Sequence, residues 1–477
     1  MKQGSLTINY LYNVAYKVLT LITPLITTPY ISRILGVENI GIYNYTFSVV
    51  SYFILFGILG FQMYGQREIA YSYNDQEKLN NIFWEIFWSR LFCVNISLFI
   101  FLVYVSKTEY YFLYSIFVLE IIANAIDISW FFYGTENFKT ITIRNFIVKL
   151  IGVACIFLFV KNKEHLSVYI FWNVFVLLVG NICLWPSLKG KISKRLLPNR
   201  NCIIHLKLAI IFFIPQCIDS VYMLMDKVML GNLSTMTQVG LYGQADKIIK
   251  MVVTIITSMG LVVSPRIAQC FSNGDQTGLK KYMLQSIQFI FSFGFPMIFG
   301  LAGIASSFSL WFFGSEYNGV DQLIIMLTPV ILFMGMNSVL GWQYLMTVKK
   351  EKKFIFSVSV GAIVNFILNM ILISKYEAFG AAFASVMSMC VMTIINLYFV
   401  REMISVSVVL FYIWKPLLAS IFMWIGVSRI LLILPYTAIS TFVEIGAGVC
   451  IFLFFEWILK DTIVTNFIIS IIDKIKR

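Results

Sequence analysis

The chain has 477 residues, of which 59% are hydrophobic and only 12% are charged, and its mean hydropathy is +0.84. Ordinary soluble proteins carry about twice that charged fraction, so the composition excludes a soluble globular protein and indicates a polytopic membrane protein. The net charge of +13 does not require a nucleic-acid partner, because basic loops on the cytoplasmic side of a membrane account for it.

Runs of about 20 apolar residues, the length that crosses a bilayer, predict an all-α protein with about fourteen membrane-spanning helices. These spans are expected near 10–32, 40–62, 82–105, 110–132, 145–160, 167–186, 208–230, 240–262, 284–304, 322–347, 354–374, 378–400, 411–433 and 437–459. Lysine and arginine concentrate in alternate loops, which predicts that both termini are cytoplasmic. The N-terminal stretch has no cleavage-site pattern, so the first span is expected to be retained.

The first span carries a polar stripe, because Asn9, Asn13, Lys17, Thr20 and Thr27 recur at steps of three and four residues. Such a stripe forms one face of a helix. Small and polar residues also serve in contacts between membrane helices. A lysine near the middle of the span makes a face toward a polar cavity an equally valid interpretation.

The seventh and eighth spans place charged residues on helix faces that would otherwise be apolar. Asp219 and Asp226 are two helical turns apart in the seventh span, and Lys247 and Lys250 lie one turn apart in the eighth. A central Asp or Lys in a membrane helix costs roughly 3 kcal/mol on insertion scales, so such residues normally face a bundle interior or a watery cavity. We therefore expect these two faces to border a polar cavity.

Further charges lie within the third and fourth spans, including Glu85, Arg90 and Asp127. Each of them either lines the cavity or forms a structural ion pair, and the sequence leaves both interpretations open. The two histidines, His165 and His205, stand in predicted loops and are expected to be solvated or interfacial side chains.

An internal duplication follows from residue patterns that recur about two hundred residues apart. Gly41 in G-I-Y matches Gly240 in G-L-Y, and Arg67 matches Arg266 at the same offset. Six spans separate the equivalent positions, and because six is even the two halves are predicted to be parallel repeats. The expected organisation is an N-terminal six-helix lobe at 1–187, a basic cytoplasmic linker at 188–207, a C-terminal six-helix lobe at 208–402, and two additional helices with a basic cytoplasmic tail at 403–477.

Motifs for common enzyme chemistry do not occur in the sequence. It has no phosphate-binding G-x-x-x-x-G-K-[ST] loop, no H-E-x-x-H pair and no cluster with metal-ligand spacing. No catalytic residue, metal site or cofactor is therefore expected, and a transporter that works by alternating access is the interpretation that remains.

Several stretches together resemble a known family. They are PYISRILGVENIGIYNY at 29–45, GTENFKTITIRN at 134–145, DKVMLG at 226–231 followed by VGLYGQA, and KKEKK at 349–353 followed by GAIVN. The chain resembles the Wzx-type oligosaccharide flippases, the polysaccharide transporter family of the multidrug/oligosaccharidyl-lipid/polysaccharide exporter superfamily. The resemblance implies two bundles arranged in a V and export of undecaprenyl-pyrophosphate-linked oligosaccharide from the inner to the outer leaflet of the bacterial plasma membrane, for capsule or O-antigen. It also implies a basic cavity, to which Arg33, Asp226, Lys227 and Arg144 belong by their motifs.

A pyrophosphate would be held by guanidinium and ammonium groups along such a cavity. The predicted anion path consists of Lys17, Arg33, Arg90, Lys227, Lys247 and Lys250. Asp127, Asp219 and Asp226 are predicted to balance this charge or to carry a coupling cation, so that transport is driven by a proton or sodium gradient or by the membrane potential. The expected partners are the lipid-linked oligosaccharide, membrane lipids, and a polymerase with other glycan-assembly proteins.

Two other function classes remain open at this point. A cation-coupled multidrug antiporter of the same superfamily would use Asp219 and Asp226 as its ion site. A membrane glycan polymerase or ligase is disfavoured, because such enzymes are expected to have a sizeable extramembrane loop and the sequence has none.

Overall fold

The computed structural model describes residues 3–193, 197–198, 201–431 and 433–459. Side chains are not described at 3–18, 214–216, 218–219, 221–222, 261 and 406. The regular secondary structure of the described residues is entirely helical. The chain divides into two compact units, unit 1 (Met1–Val228) and unit 2 (Met229–Arg477), and each is described by itself.

Unit 1 is built from seven helices, two short 3₁₀ turns and most of an eighth helix. The helices are α1 (Gln3–Ile58), α2 (Phe61–Tyr71), α3 (Gln76–Val105), α4 (Tyr111–Ala125), α5 (Ser129–Gly134), α6 (Phe138–Phe159), α7 (Leu166–Ile182) and α8 (Cys202–Leu233), and the 3₁₀ turns are Lys163–His165 and Trp185–Leu188.

Unit 2 contains the end of α8, nine further helices and one π-helical segment. The helices are α9 (Met236–Thr257), α10 (Gly260–Ser272), α11 (Gln276–Phe313), α12 (Val320–Leu327), α13 (Pro329–Asn337), α14 (Glu351–Val400), α15 (Val406–Phe411), α16 (Trp414–Leu431) and α17 (Ala438–Ile458), and the π-helical segment is Ser338–Leu345.

The predicted all-α fold with about fourteen spans is confirmed. Among the described residues, ten helical stretches are long and apolar enough to cross a membrane, and the bent pair of α9 and α10 makes an eleventh. Two of the ten include α1 and α14, which have 56 and 50 residues and kink at Gly36 and Glu377, so each provides two spans. With α8, which occupies the seventh predicted position, the total is fourteen.

The duplication is visible in where the helices begin and break. The kink of α1 at Gly36 has its counterpart 199 residues later at Thr235, the second of the two residues that separate α8 from α9. The short helices α2 and α10 begin at the same offset. The helices that follow them, α3 and α11, are both capped by an aspartate, Asp75 and Asp275, whose carboxylates accept hydrogen bonds from backbone N–H groups. The predicted parallel repeats therefore share one local architecture.

The equivalent tyrosines Tyr43 and Tyr242 each contact the sixth span of their own repeat. The ring of Tyr43 in α1 packs edge-on against that of Tyr169 in α7, with 5.0 Å between the centroids. The hydroxyl of Tyr242 in α9 lies 3.0 Å from the hydroxyl of Ser385 in the second half of α14. In both repeats, the second span is thereby joined to the sixth.

The core of unit 1 near the start of α3 is rich in aromatic side chains. Phe61, Phe83, Trp130 and Phe131 are fully buried and belong to one apolar cluster. Gly65 of α2 allows this packing, because a Cβ at this position would lie only 2.7 Å from the Trp130 ring. The close packing holds α2, α3 and α5 together.

The boundary between the two compact units lies after Val228, about twenty residues beyond the predicted linker at 188–207. The physical reason is that the beginning of α8 is bonded to α3. Ser89 donates a hydrogen bond to the carbonyl of Cys202 at 2.9 Å, and Gly60 approaches the α8 backbone so closely that a Cβ there would meet Ala209 O at 2.8 Å.

Candidate functional site

The cationic face of unit 2 lies on α9. Lys247 and Lys250 are both partly exposed, and Lys250 Nζ donates to Asp246 Oδ2 at 2.8 Å one helical turn away. Sequence reasoning overlooked Asp246, although the spacing of four residues is a recognisable signal for an ion pair. With Asp246 included, these three side chains carry a net charge of +1 rather than +2.

The hydroxyl groups on the same face of α9 are bonded to their own helix. Thr254 donates to the carbonyl of Lys250 at 2.8 Å, and Thr257 donates to that of Val253 at 2.9 Å. Bonds of this kind satisfy the hydroxyl donors inside a membrane helix while leaving the oxygen lone pairs available as acceptors. The lysine ammonium groups are the positively charged donors of this face.

The predicted charges of unit 1 occupy different environments. Asp226 of α8 is buried and interacts electrostatically with Tyr52 in the second half of α1. Lys227, the next residue, is partly exposed, and Arg33 of α1 is exposed. The side chains of Lys17 and Asp219 lie outside the described part of the structure, so their predicted roles stay predictions.

Arg90 of α3 is fully buried, with 0% exposure. Its guanidinium donates to the carbonyl of Asp127 at 2.7 Å and to that of Asn124 at 2.6 Å. These carbonyls lie where the fourth span is interrupted between α4 and α5, and the last carbonyls of a helix have no partner within it. Arg90 thus satisfies backbone acceptors at a break in a membrane helix.

Two further side chains bond to the same interruption. Asn181 of α7 donates to the carbonyl of Ala123 at 2.7 Å, and the indole of Trp185 donates to that of Ile126 at 2.9 Å. The carbonyls at the break between α4 and α5 are therefore bonded by side chains of α3 and of the C-terminal end of α7 with the turn after it.

The carboxylate of Asp127 lies between two arginines. Arg90 Nη2 is 3.8 Å from its Oδ2, and Arg144 Nη2 is 3.9 Å from its Oδ1. The backbone N–H and the hydroxyl of Ser129 each donate to the carboxylate at 2.9 Å. The structure therefore brings together two predicted site residues, Arg90 and Asp127, in a bonded group within unit 1.

A buried polar chain ties the start of α8 to α2 and α3. The Tyr64 hydroxyl lies 2.7 Å from His205 Nδ1, and His205 Nε2 lies 2.9 Å from Glu85 Oε2. Asn201 donates to the other oxygen of Glu85 at 2.9 Å. The prediction that His205 is a solvated loop residue is wrong, because it lies inside a helix and is 8% exposed. Its partners are more than a hundred residues away in sequence.

Among the residues that the structure describes, no three His, Cys, Asp or Glu side chains converge in a way that could hold a metal ion. The charged groups described above instead form pairs and short chains. Within unit 1, Asp127 joins Arg90 to Arg144. In unit 2, Lys247 and Lys250 share a helix face with Asp246.

The fold has close counterparts among solved structures. The inward closed conformation of lipid II flippase MurJ matches with a TM-score of 0.76 and 14% identity, covering 95% of this chain and 98% of that chain. An inward-facing multidrug resistance MATE family transporter of the MOP superfamily matches with a TM-score of 0.64 and 13% identity, covering 81% and 94%. At these identities the likeness concerns the fold, and it defines a polytopic membrane protein with the helical architecture of these two transporters.

The sequence comparisons are more specific. Residues 6–271, more than half of the chain, match the family described as polysaccharide biosynthesis protein, and the chain belongs to that family. A relative in Escherichia coli strain K12, named "Putative O-antigen transporter", is 25% identical over 407 residues, which cover 83% of this chain and 97% of the relative. These findings confirm the predicted relationship to the Wzx-type flippases.

Proposed function

We propose that this protein is a flippase that moves undecaprenyl-pyrophosphate-linked oligosaccharide repeat units from the inner to the outer leaflet of the bacterial plasma membrane. The products would supply the assembly of a capsule or an O-antigen type of polysaccharide. The observation that carries the proposal is that the polysaccharide biosynthesis family match over residues 6–271 coincides with a fold found in a lipid II flippase.

The chemistry of the substrate supports a polar path through the protein. A pyrophosphate and several sugars are too costly to transfer through hydrocarbon, whereas a polyprenyl chain can remain in lipid. Lys247 and Lys250 offer ammonium groups within a membrane helix, and Asp246 limits the local charge to +1. A modest positive charge favours a site that binds a pyrophosphate and also releases it, which each transport cycle requires.

The remaining parts of the proposal concern energy, partners and orientation. A proton gradient, a sodium gradient or the membrane potential would drive alternating access, with Asp226 as a candidate coupling group because it is a buried carboxylate. A polymerase and other glycan-assembly proteins would receive the product. Both termini would be cytoplasmic, as the distribution of basic loops favours.

The test is the accumulation of lipid-linked oligosaccharide, resolved by leaflet, in cells depleted of the protein. We expect cytoplasmic accumulation that the intact chain reverses and the variant Lys247→Ala/Lys250→Ala does not. The matched control is Lys280→Ala/Lys281→Ala, because this neighbouring pair is exposed at the start of α11 and lies outside the predicted anion path. All variants must be present in the membrane in equal amounts.

One result would contradict the assignment of the two lysines, and another would contradict the flippase function itself. Full reversal by Lys247→Ala/Lys250→Ala would remove these lysines from the path and leave the flippase function intact. Absence of any accumulation on depletion, together with altered sensitivity to cationic drugs, would favour the alternative function of a cation-coupled multidrug antiporter, whose architecture the fold shares.

A further inference from the structure

A groove of about 620 Å³ lies between the antiparallel helices α6 and α7 of unit 1. Its wall is predominantly apolar and includes Ile143, Ile147, Ile151, Phe175 and Val179. These five side chains are between 36% and 49% exposed, so the groove is open along its length. Apolar side chains that are exposed on a membrane helix normally contact lipid or another apolar partner.

One end of the groove is polar and positively charged. Lys139 and Thr140 lie at the start of α6, and Ser187 follows the end of α7, so the antiparallel arrangement places them at the same end. Arg144 lies slightly farther along α6 and also lines the groove. The groove therefore has an apolar body with a cationic, hydroxyl-bearing end.

The Arg144 guanidinium is held in place but keeps donors to spare. Its Nη1 donates to Asn181 Oδ1 at 3.0 Å, whereas its Nη2 is 3.9 Å from Asp127 Oδ1, too far for a hydrogen bond. Its Nε has no acceptor but is buried, so the donors that remain for a ligand are on the terminal nitrogens. Asp127 is shared with Arg90 and already accepts two bonds from Ser129. An oriented guanidinium with remaining donors is well suited to a phosphate oxygen.

The local charge balance favours an anionic ligand. Arg90, Arg144 and Asp127 together carry +1, and Lys139 adds a second positive charge at the open end of the groove. Basic pockets between membrane helices near the cytoplasmic surface bind the headgroups of anionic lipids. The loop before α6 is on that side in the orientation that the basic loops predict.

The size of the groove indicates how much of a lipid it can hold. A methylene group occupies about the volume of a water molecule in the liquid, roughly 30 Å³, so about 620 Å³ accommodates roughly 20 such groups. That number matches one acyl chain with part of its glycerol headgroup. A complete undecaprenyl chain would extend beyond the groove into the surrounding lipid.

We propose that the groove between α6 and α7 binds one anionic phospholipid of the membrane. Its phosphate contacts Lys139 and Arg144, and one acyl chain lies along Ile147, Ile151 and Val179. The lipid acts as a bound component of unit 1. The proposed ligand is a phospholipid of the membrane and not the transported substrate, so the proposal does not rest on the proposed function.

The test is native mass spectrometry of the purified full-length protein, titrated with phosphatidylglycerol or phosphatidylcholine that carry identical acyl chains. We expect one phosphatidylglycerol to be retained at least about fivefold more strongly than phosphatidylcholine, the effect of about one basic residue near a membrane surface. Lys139→Gln should remove about fivefold in affinity for phosphatidylglycerol. Val179→Trp and, on the facing helix, Ile147→Trp should each eliminate the retained lipid.

Matched controls lie in unit 2. Lys280→Gln removes an exposed lysine, and Ile367→Trp enlarges a side chain that is 50% exposed on α14. Neither should change retention. Equal retention of both phospholipids, or full retention in folded Val179→Trp and Ile147→Trp variants, would overturn the proposal. Displacement of phosphatidylglycerol by undecaprenyl phosphate from this groove would also overturn it, because the occupant would then be the substrate lipid.

Discussion

Replacement of Arg90 by methionine should destabilise unit 1 rather than only impair transport. Methionine has a similar length and remains apolar, so Arg90→Met removes the donors without leaving a large cavity. The carbonyls of Asn124 and Asp127 would lose bonds of 2.6 and 2.7 Å. The Asp127 carboxylate would also lose one of its two cations.

The size of the effect follows from these contacts. A hydrogen bond that involves a charged group contributes about 1.5–3 kcal/mol, so two of them correspond to about 3–6 kcal/mol. Removal of one partner from a buried charge pair independently costs about 3–5 kcal/mol. Both arguments describe the same guanidinium, so the two ranges are not summed. The expected loss in free energy of unfolding is about 3–5 kcal/mol.

The assay is the apparent melting temperature of the purified protein in detergent. For a unit of this size, 1 kcal/mol corresponds to about 2–4 °C, so Arg90→Met should melt at least about 6 °C below the wild type. The control is Arg429→Met, which removes an exposed arginine in the last turn of α16. Loss of its interaction with the helix dipole should cost about 1 kcal/mol or less.

A wild-type melting temperature in Arg90→Met would refute this reasoning. If that stable variant also failed to export glycan, Arg90 would belong to the anion path after all. A variant that is both destabilised and inactive would fit the structural role. Arg90→Lys should recover only part of the stability, because an ammonium group cannot donate along both directions of the guanidinium fork.

Three further predictions concern residues outside the predicted anion path. Gly60→Ala should lower the melting temperature more than Gly190→Ala, because both glycines have positive φ but only a Cβ at Gly60 would collide with the α8 backbone. The N–H of Gly278 donates to Asp275 and lowers the pKa of its carboxyl group. This cap therefore stabilises α11 fully at pH values above the pKa of an unfolded aspartate, roughly 4. The stabilisation is lost as the pH falls through the lower pKa that the group has in the folded protein. Wild type and Asp275→Asn should therefore differ in stability at neutral pH and converge in acid. His205→Ala should increase hydrogen exchange at the start of α8, because the helix loses its bonds to Glu85 of α3 and Tyr64 of α2.

Each of these predictions has an outcome that contradicts it. Equal melting temperatures for Gly60→Ala and Gly190→Ala would mean that α8 yields to the added methyl group. A stability difference between wild type and Asp275→Asn that persisted in acid would show that the carboxylate charge is not its source. Unchanged exchange in His205→Ala would mean that the other contacts, including the bonds of Ser89 and Asn201, are sufficient to hold the start of α8.

The sequence was sufficient to predict the membrane helices and the duplication. Apolar runs locate spans well because a bilayer sets both their length and their composition. The offset between Arg67 and Arg266 agrees with the one between the breaks at Gly36 and Thr235. The compact boundary after Val228 was not predictable in this way, since it depends on contacts between α8 and α3.

The environments of individual charges were less predictable. Arg90 bonds to backbone carbonyls, and every residue has a carbonyl, so no residue type in the sequence signals this partner. Glu85 pairs with His205 across 120 residues, a separation that no periodic pattern detects. Asp246 is the opposite case, because its distance of four residues from Lys250 was sufficient to suggest their ion pair.

The interruption between α4 and α5 also constrains how the protein can evolve. Arg90 comes from α3, whereas Asn181 and Trp185 come from the end of α7 and the turn after it, and each bonds to a carbonyl of the break. A shift of one residue in the break would move every carbonyl away from its donor at once. Insertions and deletions should therefore be selected against here, and loss of Asp127 should be tolerated mainly together with loss of one neighbouring arginine. In related chains, these positions should change as a correlated group, even though none of them needs to touch a substrate.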